Sequence, residues 1–220
     1  MQRVEKVNHV PRSRFDFNVY EEPVSRILQA EKLRIGYSSP LCPELNLQVE
    51  KGEKIAIVGH NGIGKTTMLK TLLGQIKPLS GSISVGERVN PAYFAQEEFA
   101  SKTTPLEKVW AERPDMTKKE VRQALAKCGL KEEHVLKPIR LLSGGEQTKV
   151  RLCELIVTKS NVLILDEPTN HLDTETKKSL QEALQQYKGT ILLVSHEPSF
   201  YEAWITKVWN IEEWDAERYE

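Results

Sequence analysis

The chain has little of what would place it in several common classes. Its three cysteines, Cys42, Cys128 and Cys153, lie far apart in 220 residues and show no metal-ligand spacing. That excludes a disulfide-stapled scaffold and a zinc ribbon, and leaves free thiols, buried or half-buried, in a reducing compartment. Net charge is also missing, since Lys+Arg and Asp+Glu both number 31. A strongly basic protein that coats nucleic acid is thereby excluded, though a local basic patch is not. No apolar run approaches the roughly 20 residues that span a bilayer. The N-terminus is polar and basic, with Arg3, Lys6, Arg12 and Arg14 against Glu5, and has no apolar signal region. Secretion is therefore not expected, and the expected location is the cytoplasm.

What is present is a β–α alternation. Residues 1 to about 26 hold no helical or strand period and read as an extended linker tail. They are expected to end a longer connection whose first part is absent, so that the chain is a fragment. The domain proper is expected over 27–220. Strand-like positions run through 27–35 and 45–49, and short strands are expected at 82–85 and 92–95. These early strands predict a small antiparallel layer. Lys54-Ile55-Ala56-Ile57-Val58, Val162-Leu163-Ile164-Leu165 and Thr190-Ile191-Leu192-Leu193-Val194 are continuous apolar runs, as in parallel strands buried on both faces. Helical spacing follows Lys65, and returns from Glu146 and from Glu175. Thr104-Pro105-Leu106-Glu107 and Thr117-Lys118-Lys119-Glu120 are helix starts with capping threonines, inside a helical insert expected over about 101–142. The fold class is α/β, with a parallel sheet core. Trp204, Trp209 and Trp214 read as packing residues rather than a ligand platform.

Three motifs carry chemistry. Gly59-His60-Asn61-Gly62-Ile63-Gly64-Lys65-Thr66 fits the phosphate-binding loop G-x-x-x-x-G-K-[ST] between a buried strand and a helix. The glycines let backbone N–H groups turn toward phosphate oxygens, and the helix adds its positive end. Lys65 is expected to reach the β and γ phosphates, Thr66 to ligate Mg²⁺, and Thr67 to bond nearer the α phosphate. The second motif is Asp166-Glu167 at the end of an apolar strand, the sheet edge at which open α/β folds bind ligands. Asp166 is expected in the magnesium shell, and Glu167 is expected to polarise the attacking water. The third is Leu142-Ser143-Gly144-Gly145-Glu146, a serine and two glycines ahead of a helix, which form a second anion-binding surface.

Taken in order, with His196 after the next strand, these motifs resemble the ATP-binding cassette family over about Leu28 to Glu213. The resemblance implies a P-loop NTPase core with a small antiparallel β subdomain and a helical insert, ATP and Mg²⁺ as ligands, and ATP hydrolysis at a site shared by two cassettes. It implies that Tyr37 stacks on adenine, that Gln96 contacts Mg²⁺ and senses the γ phosphate, and that His196 hydrogen-bonds that phosphate. It implies that Ser143, Gly144 and Gly145 form the signature loop, which binds nucleotide held by a partner cassette, and that Asp173 lies at the seam between cassettes.

Glu167-Pro168-Thr169-Asn170-His171-Leu172-Asp173 looks like the ABC-F subfamily, whose members lack a membrane domain and carry two cassettes joined by a helical linker that reaches the ribosome. The chain resembles the second of these cassettes. The implied partners are an N-terminal cassette or a second copy, and the ribosome; the implied roles are translation factor or antibiotic-protection protein. One departure stands out. His196 is followed by Glu197-Pro198, where the subfamily usually has Asp-Arg, so the surrounding salt links are expected to differ. Two alternatives share the motifs: the ATPase subunit of a membrane transporter, and a non-catalytic ATP-gated clamp. Asn170-His171-Leu172 and the linker-like N-terminus weigh against the first, and the full set of catalytic residues against the second.

Overall fold

A computed structural model of the chain describes residues 13–95 and 101–216. The chain forms two compact units. One comprises residues 17–98, 158–170 and 184–220, the other 1–16, 99–157 and 171–183.

The first unit holds both sheets. The strands β1 (Arg26–Arg34), β2 (Leu45–Glu50), β3 (Lys54–Val58), β4 (Ser80–Val85), β5 (Pro91–Phe94), β6 (Val162–Asp166), β7 (Thr190–Val194) and β8 (Lys207–Asn210) divide three and five. β1 pairs antiparallel with β2 on one side and β4 on the other. The remaining five form an all-parallel sheet in the order β5-β6-β7-β3-β8. Both expected layers are present, but the strand expected at 92–95 is not in the antiparallel one: β5 pairs parallel with β6 at the edge of the larger sheet. β6 and β7 are buried at every position, the signature of strands covered on both faces, whereas β2 alternates buried and exposed along one half-wet face. Helix α1 (Lys65–Leu72) follows β3 and buries Met68, Leu69 and Leu72 against Leu33, Ile35, Ile55 and Ile57.

The parallel register decides where chemistry can occur. Val58 pairs with Asn210, Phe94 with Leu165, and Asp166 with Val194. Five strands therefore end at one edge, and every loop that leaves that edge starts from a fixed position. Lys54 Nζ donates to the Leu184 and Gln185 carbonyls at 2.8 Å. It thereby satisfies the C-terminal end of α6 (Thr174–Gln186), where a cation is favoured.

The second unit is helical: α2 (Pro105–Glu112), α3 (Lys118–Lys127), the short α4 (Glu132–Val135), a 3₁₀ turn at Ile139–Leu141, α5 (Gly144–Val157) and the first ten residues of α6. Both expected capping threonines cap. Thr104 and Glu107 at α2, and Thr117 and Glu120 at α3, form reciprocal capping boxes. Val109, Val121, Leu125, Ile139 and Leu152 are fully buried between these helices. All three cysteines are buried free thiols. A hydrogen bond with Cys128, together with burial, pushes the Cys153 thiol well above its ordinary value.

Residues 13–25 contain no regular element, as a linker-like reading expects, yet they are bonded into the fold. In the helical unit Phe15 is buried and the Arg14 N–H donates to the Lys127 carbonyl at 2.7 Å. In the sheet unit the Phe17 ring meets Tyr187 edge-on at 6.2 Å, and the Tyr20 N–H donates to the Ser160 carbonyl at 3.0 Å. Three of the four tryptophans pack in the sheet unit: Trp204 and Trp209 are buried, and Trp214 lies against Trp209 at 6.4 Å. The elements that escaped the sequence pattern are all short: α4, the 3₁₀ turn, α7 (Pro198–Tyr201), β8 and α8 (Ile211–Ala216). β8 is only four residues long, and two of them are exposed, so it has no apolar run to announce it.

Leu193 is fully buried at the centre of the parallel sheet. Leu193→Ala is expected to cost about 2–5 kcal/mol of unfolding free energy, read as a lower urea midpoint at unchanged slope.

Candidate functional site

The loop after β3 turns at Gly64 with φ +108, where a Cβ would lie 3.0 Å from Leu41 Cδ1. Only glycine meets both conditions without strain. Lys65 then folds back on its own loop, and its Nζ donates to the carbonyls of Gly59 at 2.7 Å and His60 at 3.0 Å. Burial lowers its pKa, while Glu167, Asp166 and Glu212 pull it upward. The ammonium is held by carbonyls and lies within the field of those acids.

Thr66 Oγ1 donates to Asp166 Oδ2 at 2.7 Å, which joins the phosphate loop to the end of β6. The other oxygen, Asp166 Oδ1, is buried with no hydrogen bond of good geometry. Burial raises the Asp166 pKa, and the Thr66 and Tyr93 hydroxyls oppose that rise. Glu167 has φ +51, in the left-handed region that a non-glycine residue occupies only when its surroundings enforce it. Its N–H donates to the Val194 carbonyl at 3.0 Å, which fixes the turn to the end of β7. Burial raises the Glu167 carboxyl to about 7, and the negative Asp166 adds to the effect. The His196 N–H and Lys65 act in the opposite direction. His196 Nε2 stands 3.3 Å from Glu167 Oε1, close but without hydrogen-bond geometry. Burial and then Lys65 lower the His196 pKa, which favours neutral imidazole.

These groups share a cleft of about 550 Å³ at the carboxyl edge of the parallel sheet. Of the expected site residues, Asn61, Gly62, Gly64, Lys65, Thr66, Thr67, Asp166, Glu167 and His196 line it. Gly59 contributes through its carbonyl to Lys65. Tyr37 is exposed, on the loop whose Leu41 abuts Gly64. Gln96 lies outside the described residues. Three further residues line it that were not expected as site residues, Asn170, Val194 and Glu197. Glu197 stands where the departure from the subfamily falls, and its carboxylate accepts the Thr169 hydroxyl at 2.8 Å. The replaced position therefore still links the histidine segment to the acidic segment.

Ser143, Gly144, Gly145 and Asp173 belong to the helical unit. Ser143 and Glu146 cap each other at the start of α5. The Ser143 N–H donates to Glu146 Oε2 at 2.9 Å and the Glu146 N–H donates to Ser143 Oγ at 3.4 Å. A Cβ on Gly145 would lie 2.8 Å from the His171 carbonyl oxygen, and one on Gly144 would lie 3.2 Å from its ring, so both glycines are needed for the close approach of His171. Asp173 caps α6, accepting the Thr176 N–H at 2.8 Å and its hydroxyl at 2.7 Å. Burial would raise this carboxyl, but the bonds from Thr176 prevail and hold it low.

A profile of the ABC transporter family matches residues 42–170, the stretch from before the phosphate loop to the end of the acidic motif. The chain belongs to the ABC transporter family, as an ATP-binding domain. It is 49% identical over 97% of its length to the uncharacterized ABC transporter ATP-binding protein YfmM of Bacillus subtilis, 42% of which is covered. It is 37% identical over 88% of its length to ABC transporter F family member 5 of Arabidopsis thaliana, 29% of which is covered. The chain thus spans less than half of the curated relatives it matches. Among solved structures, an ABC transporter ATP-binding protein from Pyrococcus furiosus superposes with a TM-score of 0.70 at 24% identity, covering 86% of this chain and 98% of that one. An ATP-binding cassette solved as a dimer after hydrolysis, with ADP and phosphate bound, gives 0.73 at 20% identity over 84% and 94%. Both carry the same fold. Among the described residues no helix of this cassette is long and apolar enough to cross a membrane.

The raised pKa of Glu167 makes the empty cassette pH-sensitive in a defined direction. The unfolded chain releases this proton near the ordinary value of 4.5, the folded one near 7, so stability falls as pH rises between them. Glu167→Gln removes that loss. Without nucleotide or divalent cation, the variant's melting temperature is expected to exceed wild type by about 5–10 °C more at pH 8.5 than at pH 5. Scanning calorimetry at the two pH values checks it.

Proposed function

We propose that this cassette hydrolyses ATP at a composite site completed by a second cassette, and that it works within an ABC-F type protein of the cytoplasm that acts on the ribosome, as a translation factor or an antibiotic-protection protein. The observation that carries the catalytic part is the convergence of Lys65, Thr66, Asp166, Glu167 and His196 on one cleft. ABC transporter F family members among the relatives, and the Asn170-His171-Leu172 triplet beside the acidic pair, support the subfamily.

Thr66 and Asp166 fit a Mg²⁺ ion. A buried carboxylate oxygen without a good partner and a hydroxyl 2.7 Å from its twin offer two hard oxygen donors. Among the described residues no three acidic, histidine or cysteine side chains cluster as a closed metal cage. An open, two-donor site is what a cation shared with phosphate oxygens requires. The ion supplies charge neutralisation to the β and γ phosphates.

The protein groups divide the rest of the work. Lys65 exchanges its two loop carbonyls for phosphate oxygens, and the loop N–H groups cradle them. Glu167, pressed toward neutrality by burial, is the proton acceptor when Lys65 engages the phosphates. It takes a proton from the water whose oxygen attacks the γ phosphorus, as the bond to the β–γ bridging oxygen breaks and ADP leaves. His196 donates to a γ-phosphate oxygen from beside Glu167. Tyr37 stacks on adenine, and Gln96 joins the cation shell. Ser143, Gly144 and Gly145 act in trans, on nucleotide held by the partner cassette, with Asp173 at the seam. The cassette proper is taken as 27–220, with a helical insert over about 101–142 behind a linker tail.

Glu167→Gln is expected to slow hydrolysis about 10²–10⁴-fold while retaining ATP binding. The same variant is expected to form an Mg²⁺-ATP-dependent dimer by light scattering, either with itself or with a second cassette. Near-wild-type turnover would refute the role of Glu167, and an ATP-bound species that never pairs would refute the composite site. The ribosomal role is tested separately. The full-length protein carrying Glu167→Gln is expected to sediment with ribosomes through sucrose in ATP and to remain in the supernatant in ADP. Equal distribution in the two nucleotides would overturn that part.

A further inference from the structure

The sheet register brings an acid from the short helix after β8 onto the phosphate loop. Val58 ends β3 opposite Asn210, which ends β8. His60 lies two residues beyond the one and Glu212 two residues beyond the other, and the two meet. The His60 backbone N–H donates to Glu212 Oε1 at 2.6 Å, and His60 Nδ1 stands 3.1 Å from the same oxygen. The helix that carries Glu212 is itself anchored. Asn210 Oδ1 accepts the Glu212 N–H at 3.2 Å, Asn210 Nδ2 donates to Glu213 at 2.9 Å, and Ile211 is fully buried next to Gly59.

We infer that Glu212 is a positioning residue for nucleotide binding, the tether that keeps the entry of the phosphate loop in its binding shape. In the nucleotide-free cassette the Gly59–His60 segment is held from two sides: Lys65 Nζ takes its carbonyls and Glu212 takes the His60 N–H. The first hold is lost when Lys65 turns to phosphate. Glu212 does not change partner in that exchange, because His60 does not line the cleft. The upstream end of the loop N–H groups that must converge on the triphosphate then keeps this carboxylate and a longer bond from the Ile63 N–H to the His60 carbonyl at 3.4 Å. Pre-ordering of this kind reduces the entropy that binding has to offset, so its loss appears in affinity rather than in the chemical step. The exposed imidazole–carboxylate contact adds little by itself; the bond to the backbone carries the effect.

The inference rests on the phosphate loop as the ATP site, so Lys65→Ala enters the same experiment. Mg²⁺-ATP is titrated calorimetrically into the full chain and its variants, and amide exchange is followed at His60 without nucleotide. Glu212→Ala is expected to weaken ATP about 3- to 10-fold, the range for loss of one charge-assisted hydrogen bond, and to speed exchange of the His60 amide. Glu212→Gln keeps an acceptor oxygen in place and is expected to stay within about twofold of wild type in both readouts. Glu212→Asp keeps the charge but withdraws the oxygen by one methylene, and is expected to behave like the alanine variant. It replaces that variant if alanine does not fold. Unchanged affinity in Glu212→Ala, or equal weakening in Glu212→Gln, would overturn the tether. If Lys65→Ala also leaves affinity unchanged, the phosphate-loop reading itself fails; if only Lys65→Ala weakens binding, the loop stands and Glu212 does not position it.

Discussion

The hydrogen bond from Thr66 to Asp166 is the interaction around which the site is organised. It joins two segments that are distant in sequence, and it exists because β3 and β6 run parallel in one sheet, separated by β7. Parallel pairing aligns strand ends, so the residues after Val58, Asp166, Val194 and Asn210 all emerge at one edge. A phosphate loop, two acids and a histidine reach one cleft with no long loop to carry them. An antiparallel sheet of the same strands would send alternate ends to opposite edges and separate the lysine from the acids. The burial of β6 and β7 on both faces serves the same end, since it leaves those strands little freedom to slide and keeps the edge in register.

That alignment has an energetic cost, concentrated in Asp166, Glu167 and Lys65. All three are nearly buried, burial opposes the charge of each, and the two carboxylates are adjacent in sequence. Glu167 further holds a left-handed backbone. The rest of the sheet unit must supply the stability that this corner lacks. Its aliphatic core runs from Leu33 and Ile35 through Ile57 to Leu69. Under the proposed function, a divalent cation and a triphosphate would bring the charges that these groups lack. The same burial that destabilises the empty site therefore becomes binding and catalytic advantage in the filled one.

Much of this was legible in the sequence, for physical reasons that differ by element. Continuous apolar runs gave β3, β6 and β7 because both faces of a parallel strand must be apolar. Thr104 and Thr117 announced helix starts because the capping box is a local device, complete within four residues. Lys65, Thr66, Asp166 and Glu167 were legible because each stands at a fixed offset from a strand end. β8 and α8 were not, since a short edge strand with two exposed positions shows neither period, and with them Glu212 stayed hidden. Its proximity to His60 depends on register between strands that lie far apart in the chain, and nothing local to Glu212 records it. Glu197 marks a related blind spot. The sequence flagged the position as a departure, but only the fold reveals that its carboxylate meets Thr169.

The helical unit obeys a different logic, in which the residues assigned to a partner also hold the unit's own helices together. Ser143 and Glu146 cap α5, and Asp173 caps α6. His171 lies so close to Gly144 and Gly145 that a side chain at either glycine would press on it. A helix cap exposes N–H groups and orients them outward, which is also what an anion-binding loop requires, so one arrangement meets both demands. This couples stability to recognition at the signature loop. Under the proposed function, a substitution that disturbs the cap would lower the helix's stability and the loop's hold on phosphate together, and the two effects could not be separated by changing Ser143 alone. At the phosphate loop they can be, because there the tether, Glu212, and the ligand-binding atoms belong to different residues.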